Sequence, residues 1–330
     1  EYFFSLKDRT GIDVVRFSEF QSNPLYESVV EGVKQFRASG SGQIIAVGGG
    51  SAMDVAKCIK LFSNMDDTKN YLKQEIVSND VKLLAVPTTA GTGSEATRYA
   101  VVYYEGAKQS VTDNSIIPSA VLFDPSVLVT LPLYQKKSTM MDALCHSIES
   151  FWSVNSTDES KSYARESIEL IMANYKDSFE NKGNSNEQML RAAHKAGQAI
   201  NITQTTAGHA MCYKLTSLYH IAHGHAAAVV NAKLWPWMIN NTDKCIDKRG
   251  EDYLKSVFRE IAKTMGVSTS EEAAEKYSEI LKGLDLPKSE NVREEDYQIL
   301  KTSVNPVRLK NNPVEIDTKT IEMLYREILA

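Results

Sequence analysis

No stretch of this 330-residue chain stays apolar for the ~20 residues that a bilayer-spanning helix needs, which excludes a transmembrane helix. Excess positive charge is missing as well. Lys and Arg total 37 against 42 Asp and Glu, a net charge of −5 with no basic run, which argues against a nucleic-acid partner. Cysteine is scarce: Cys58, Cys145, Cys212 and Cys245 form no Cys-x-x-Cys pair, so they fit reduced thiols in a cytoplasmic protein better than a disulfide framework. Neither a GxGxxG fingerprint nor a Walker A motif is present, and there is no internal repeat or low-complexity tract. The chain opens at Glu1 rather than at methionine, so an upstream segment is expected to be missing and a secretory signal is read neither way. Histidine is scarce too, but of the six, five fall between His194 and His225, and that clustering asks for a chemical cause.

What is present is a soluble globular composition, 42% hydrophobic and 24% charged, in a chain long enough for two domains. The first 130 or so residues alternate helix-like and strand-like runs, the signature of an α/β domain. Leu25 to Arg37 and Ala52 to Phe62 carry helical spacing, while Gln43–Val47, Lys82–Val86, Tyr99–Tyr104 and Val121–Phe123 read as strands. From about Ser138 onward, Ala, Met, Leu, Glu and Lys recur at helical spacing to the C-terminus. Asp124-Pro125 and Leu131-Pro132 punctuate the crossing, which places an α/β domain at 1–137 and a helical domain at 138–330.

Two loops suggest a ligand. In IIAVGGGSAMDVAK, Gly48, Gly49 and Gly50 let backbone approach a ligand, Ser51 can cap the following helix, and a helix N-terminus favours an anion. By itself this is equally well a tight turn with a serine cap. The second loop, PTTAGTGSE, follows another strand and offers the Thr88, Thr89, Thr92 and Ser94 hydroxyls, suited to a ribose and pyrophosphate at the carboxyl ends of parallel strands. Two such loops in one α/β unit make a dinucleotide the better explanation.

In MMDALCHSIESFW, Asp142 and His146 are four apart and share a helix face. Alone, that spacing is more simply a helical hydrogen-bonded pair. His209 and His223 would lie about 21 Å apart on one straight helix, so the chain must turn between them if they are to share an ion. Gly224 and the small residues Ala222 and Ala226 to Ala228 favour a helix break and a close backbone approach there. One carboxylate and three imidazoles together suit a borderline divalent ion such as Fe²⁺ or Zn²⁺. His194, His220 and His225 read as surface groups or supports of the ligands.

These segments carry a resemblance. GGGSAMDVAK at 48–57, PTTAGTGSEAT from Pro87 to Thr97, Asp124-Pro125, MDALCHSIE from Met141 to Glu149 and the stretch from His209 through Gly224 are similar, in order and over nearly the whole chain, to the iron-containing alcohol dehydrogenases. The resemblance implies an α/β nucleotide-binding domain followed by an all-α domain, an architecture shared with dehydroquinate synthase-like proteins. It implies that Asp142, His146, His209 and His223 bind the metal and that Gly49, Gly50, Ser51, Thr88, Thr92 and Lys108 contact NAD or NADP. Asp54, Thr89, Ser94, Thr97 and Val101 complete the expected cofactor contacts.

Three departures from the family pattern matter. The histidine that often follows four residues after the one matching His209 is here Tyr213, which can still pass a proton. The proline before His-Gly is Ala222, and the opening strand with its ribose-reading acidic residue is expected upstream of Glu1, so NAD and NADP both stay open. The implied reaction is hydride transfer between a nicotinamide cofactor and a small primary alcohol or aldehyde, with a homodimer as an assembly to consider. The competing readings are a metal-dependent cyclising lyase, a dehydrogenase of neutral medium-chain alcohols and a scaffold that only binds nucleotide. GSEATRYAV, HAMCYKLTSLY and SVNPVRLKNNP are similar to the phosphonoacetaldehyde reductase branch, and Arg98 or Lys214 could hold such a substrate's anionic group, although both are equally well solvated surface charges.

Overall fold

The computed structural model describes residues 5–330 and divides into two compact units. One runs through Pro87 and takes in Arg98–Leu122; the other joins Thr88–Thr97 to Phe123–Ala330.

The first unit contains α1 (Leu6–Thr10), α2 (Tyr26–Ser39), β1 (Gln43–Gly48), α3 (Gly50–Phe62), β2 (Lys82–Pro87), β3 (Tyr99–Tyr104), β4 (Ala107–Thr112) and β5 (Ala120–Val121). The apolar runs of β1 and β2 pair in parallel, Ile45 opposite Leu84, and a parallel pair needs a crossover, which α3 supplies. β5 adds to the other side of β2, giving the order β1-β2-β5. Leu83 and Ala85 of β2 pack with Met53 and Ala56 of α3, while Val29 and Val33 of α2 pack with Val55, Ile59 and Phe62 on another face of α3. β3 and β4 form an antiparallel hairpin whose turn residues, Glu105 and Gly106, both have positive φ, 51° and 74°, a geometry that matches the twist of the paired strands. The strand expected over Val121–Phe123 is instead Ala120–Val121, because Phe123 already belongs to the helical unit, where its ring sits edge-on to His194 at 5.4 Å.

The helical unit runs through α4 (Leu133–Trp152), α5 (Asp158–Phe179), α6 (Ser185–Thr203), α7 (Ala207–Tyr219), α8 (His223–Ile239), α9 (Glu251–Thr264), α10 (Ser270–Gly283), α11 (Glu294–Thr302), α12 (Pro306–Leu309) and α13 (Thr318–Leu329). Its centre is α4, packed on α5, α6, α8 and α9, with every residue from Met140 to Trp152 buried. A helix buried on all sides has no solvated face, so each polar residue on it needs a partner inside the protein.

The cut expected at 137 is not where the units divide, and the reason lies in the loop at 88–97. Gly93 has φ 58°, and a Cβ there would meet the Ala193 carbonyl at 2.5 Å and Gly197 Cα at 2.6 Å. A Cβ on Gly197 would in turn meet the Gly93 carbonyl at 2.3 Å. Backbone-on-backbone packing of this kind seats the loop on α6, so a segment that follows an α/β strand in sequence is part of the helical unit. Among the described residues, no helix is long and apolar enough to cross a membrane.

Candidate active site

The turns of α4 place Asp142, His146 and Glu149 at intervals of four and three, one face of a helix whose surroundings are apolar. α7 brings His209 to that face in its first turn. One ligand atom each from Asp142, His146 and His209 lie within 4.8 Å of one another, all buried. The His146 and His209 rings stack at 4.4 Å, and His209 Nε2 is 3.3 Å from Asp142 Oδ1. This donor set, one carboxylate and two imidazoles, fits a borderline divalent cation by its chemistry.

His223 stands beside these three donors rather than within their 4.8 Å set. α7 ends at Tyr219, the residue after it, His220, adopts left-handed φ 54°, and α8 begins at His223, so the reversal expected between His209 and His223 occurs at His220 rather than at Gly224. The reversal leaves the His223 ring 5.3 Å from that of His209. Gly224 is a point of close helix packing: a Cβ there would meet the Ser138 carbonyl at 2.0 Å and Asp142 Cβ at 2.6 Å. Tyr213, one turn beyond His209 on α7, stacks its ring on His223 at 5.5 Å.

Glu149 escaped the sequence reading, although it lies in the quoted motif. It is 0% exposed, and both of its oxygens are engaged. Oε1 accepts from His209 Nδ1 at 2.6 Å and from Asn231 Nδ2 at 3.0 Å. Oε2 accepts from the Thr206 backbone N–H at 2.7 Å, the Thr206 hydroxyl at 2.9 Å and the His209 backbone N–H at 3.4 Å. The available signal was an acidic residue seven positions after Asp142 on the same helical stripe, within a run otherwise fit for a core.

Burial and neighbouring charge oppose each other at each of these groups. Burial pushes Asp142 up, but the His146, His209 and His223 rings outweigh it and hold the carboxyl well below the usual range. Burial likewise pushes Glu149 up, and the His209 ring with the Asn231 and Thr206 donors brings it down to about 2. His146 is lowered to about 4 by burial, which the Asp142 charge only partly offsets, so its ring is neutral and able to ligate. For His209, burial is outweighed by Glu149 and Asp142, and its pKa rises to about 9. A cation entering here must displace the Nε2 proton. Burial pushes the Tyr213 phenol far above its ordinary value, so it is a proton donor at neutral pH and not a base.

The remaining candidates divide between the units. Gly49 is the N-cap of α3 and makes no side-chain cap bond; Gly50, Ser51 and Asp54 follow within α3. Ser51 is therefore not the cap it was expected to be: it lies inside the first turn, and the chain enters α3 through extended backbone at Gly49. Val101 and Lys108 lie on the β3–β4 hairpin, opposite Ser110 and Tyr103. Arg98, whose guanidinium lies 5.4 Å over the Tyr99 ring, belongs to the same unit. Thr88, Thr89, Thr92, Ser94 and Thr97 belong to the helical unit. There Thr92 Oγ1 accepts from the Ser94 backbone N–H at 3.2 Å, and the Thr97 hydroxyl donates to the Ser94 carbonyl at 3.3 Å. Lys214, half-buried, sits on α7 next to Tyr213.

Residues 2–125 match the family model described as iron-containing alcohol dehydrogenase, and residues 136–329 match that of the C-terminal part of the same family. Aldehyde-alcohol dehydrogenase 2 of Entamoeba histolytica is 31% identical over 241 residues, 68% of this chain and 28% of that protein. The chain thus spans less than a third of that relative's length. The phosphonoacetaldehyde reductase of Streptomyces viridochromogenes is 29% identical, covering 91% of this chain and 80% of that protein. Among solved structures, a sulfoacetaldehyde reductase from Bifidobacterium kashiwanohense in complex with NAD+ is similar with a TM-score of 0.86 and 26% identity, covering 99% of this chain and 89% of that one.

Proposed function

Because this chain belongs to the iron-containing alcohol dehydrogenase family, we propose that it is a metal-dependent oxidoreductase that moves hydride between NAD or NADP and a small primary alcohol or aldehyde. The observation that carries this reading is the buried donor set of Asp142, His146 and His209; His223, whose ring lies beside that of His209, is the fourth ligand in this proposal. Family membership sets aside the cyclising lyase.

Bound by these residues, Fe²⁺ or Zn²⁺ supplies Lewis-acid stabilisation of the substrate oxygen, and the nicotinamide supplies or accepts the hydride. The chain's own residues do the rest. Gly49, Gly50 and Ser51 offer α3's first-turn N–H groups to the pyrophosphate, and the Thr88, Thr89, Thr92 and Ser94 hydroxyls take ribose and phosphate oxygens. Asp54, Thr97, Val101 and Lys108 supply the remaining cofactor contacts. Tyr213, protonated and stacked on His223, gives a proton to the oxygen of a reduced aldehyde. The four cysteines are free, in keeping with a reducing, cytoplasmic setting.

The substrate we propose is a small aldehyde with an anionic group, phosphonoacetaldehyde first, held by Arg98 or Lys214. Likeness to a phosphonoacetaldehyde reductase and to a sulfoacetaldehyde reductase supports an anionic two-carbon aldehyde, and likeness to an NADPH-dependent butanol dehydrogenase keeps a neutral aldehyde as the alternative that the test must separate. The test is metal analysis of the purified protein together with a screen of NADH and NADPH oxidation on phosphonoacetaldehyde, sulfoacetaldehyde and butyraldehyde. Metal uptake with turnover of the anionic aldehydes is expected. Preference for butyraldehyde overturns the substrate assignment, and metal-independent turnover overturns the whole reading.

A further inference from the structure

The buried carboxylate one turn from the metal donors has no part in the reaction so far. Five contacts converge on Glu149, and the identity of the donors fixes where the hydrogens lie. Trp152 Nε1 is 2.9 Å from Thr206 Oγ1 and can only donate, so the Thr206 hydroxyl accepts there and commits its own hydrogen to Glu149 Oε2. The two backbone N–H groups also only donate, as does the Asn231 Nδ2 amide. Against an ionised carboxylate at 2.6 Å, His209 Nδ1 must carry a hydrogen as well. Nε2, the nitrogen that faces Asp142, is then the ring nitrogen that can give up its proton to a cation.

The same carboxylate caps the helix that carries His209. Thr206, the residue before α7, makes no side-chain cap of its own, and Glu149 takes the N–H groups of Thr206 and His209 in its place. Space is reserved for this arrangement at Gly208, where a Cβ would meet Glu149 Oε1 at 2.4 Å and Asn231 Oδ1 at 2.3 Å.

We infer that Glu149 is the positioning residue of the metal centre: it fixes the Nδ1–H tautomer of His209 and the start of α7, and so aims Nε2 at the ion. This rests on the metal-dependent reading above. Glutamine is isosteric but cannot replace it. If its carbonyl faces Thr206, its NH₂ meets His209 Nδ1 and Asn231 Nδ2, which drives the ring hydrogen onto Nε2. If its carbonyl faces the ring, its NH₂ opposes the Thr206 N–H.

The experiment compares wild type, Glu149→Gln and Glu149→Asp by Zn²⁺ titration calorimetry of chelator-treated protein and by proton NMR of the Zn²⁺-loaded forms. The expected result is roughly 10- to 100-fold weaker Zn²⁺ binding in Glu149→Gln. It should lose the slowly exchanging, far-downfield proton of a carboxylate-bound imidazole N–H, which the wild type should show. Glu149→Asp, which keeps the charge and loses reach, should fall between the two. If Glu149→Gln does not fold, Glu149→Asp decides alone: weaker binding with a shifted imidazole proton supports the role. Wild-type affinity and an unmoved imidazole proton in the variant that folds would overturn it, since a helix cap alone would leave that proton in place. A wild type that binds no Zn²⁺ or Fe²⁺ overturns the functional reading instead, and the downfield Nδ1 proton of the metal-free forms then decides whether Glu149 holds the ring: its loss in Glu149→Gln supports the contact, and an unmoved signal overturns it.

Discussion

His225 is buried on α8, with Nδ1 3.1 Å from the Tyr134 hydroxyl. Burial pushes its pKa down to about 4. An unfolded histidine takes its proton near 6.5, so between that pH and about 4 the unfolded chain binds more protons than the folded one. The stability associated with the neutral ring is therefore intact above pH 6.5 and is lost as pH falls through this window, a loss of roughly 1–3 kcal/mol. His225→Asn in metal-free protein should melt with a shallower dependence on pH between 7.5 and 4.5 than wild type; parallel curves would rule this out. At Arg98 and Lys214 the question is charge. If either holds the substrate anion, its alanine variant should lose about tenfold or more in kcat/KM on phosphonoacetaldehyde and little on a neutral aldehyde of similar size. Equal losses on both would remove that residue from substrate recognition.

At the scale of single elements, α3 and α7 use their N-termini in different ways. α7 enters the protein interior, where an open first turn would leave N–H groups without acceptors, and Glu149 meets that need from another helix. α3 begins at Gly49 without a side-chain cap, which leaves room for an anionic ligand. Gly50→Leu puts bulk at the first helical position; NADH and NADPH titrations by fluorescence should show at least tenfold weaker binding while the melting temperature hardly moves. Unchanged titration in the folded variant would take the pyrophosphate away from this helix. β4, a run of Ala, Lys, Gln, Ser, Val and Thr, has too few apolar residues to read as a strand before its partner β3 is known, whereas α2, α3, β1, β2 and β3 were legible from period, because Val29, Val33 and Phe36 on α2 and the apolar runs of β1 and β2 carry their own burial pattern. β5 was not, since Phe123 is as apolar as a strand residue and only its packing on His194 places it elsewhere.

At the scale of the whole molecule, metal binding and stability are linked, because an ion held by the folded donors and not by the unfolded chain stabilises the protein by about 2.7 kcal/mol at 100-fold excess over Kd. Adding Zn²⁺ to chelator-treated protein should raise Tm by several degrees in wild type and leave Asp142→Asn unchanged; an equal rise in both would place the ion elsewhere. The sequence by itself determined the fold class, the two glycine-bearing loops and the pairing of Asp142 with His146. Each rests on local periodicity or on neighbours within one turn, and such relations survive whatever the rest of the chain does. It could also require that the chain turn between His209 and His223 if the two are to share an ion, because a straight helix keeps them apart. Only the tertiary structure decided that the turn falls at His220, that His223 stands next to a three-donor cluster, and that the loop at 88–97 belongs with the helices. Only it gave Glu149 a task, since an acidic residue in a helix acquires its partners from other helices. The physical reason is close approach between segments far apart in the chain, near enough to exclude a Cβ: backbone on backbone at Gly93 and Gly224, and the Glu149 and Asn231 side chains on backbone at Gly208.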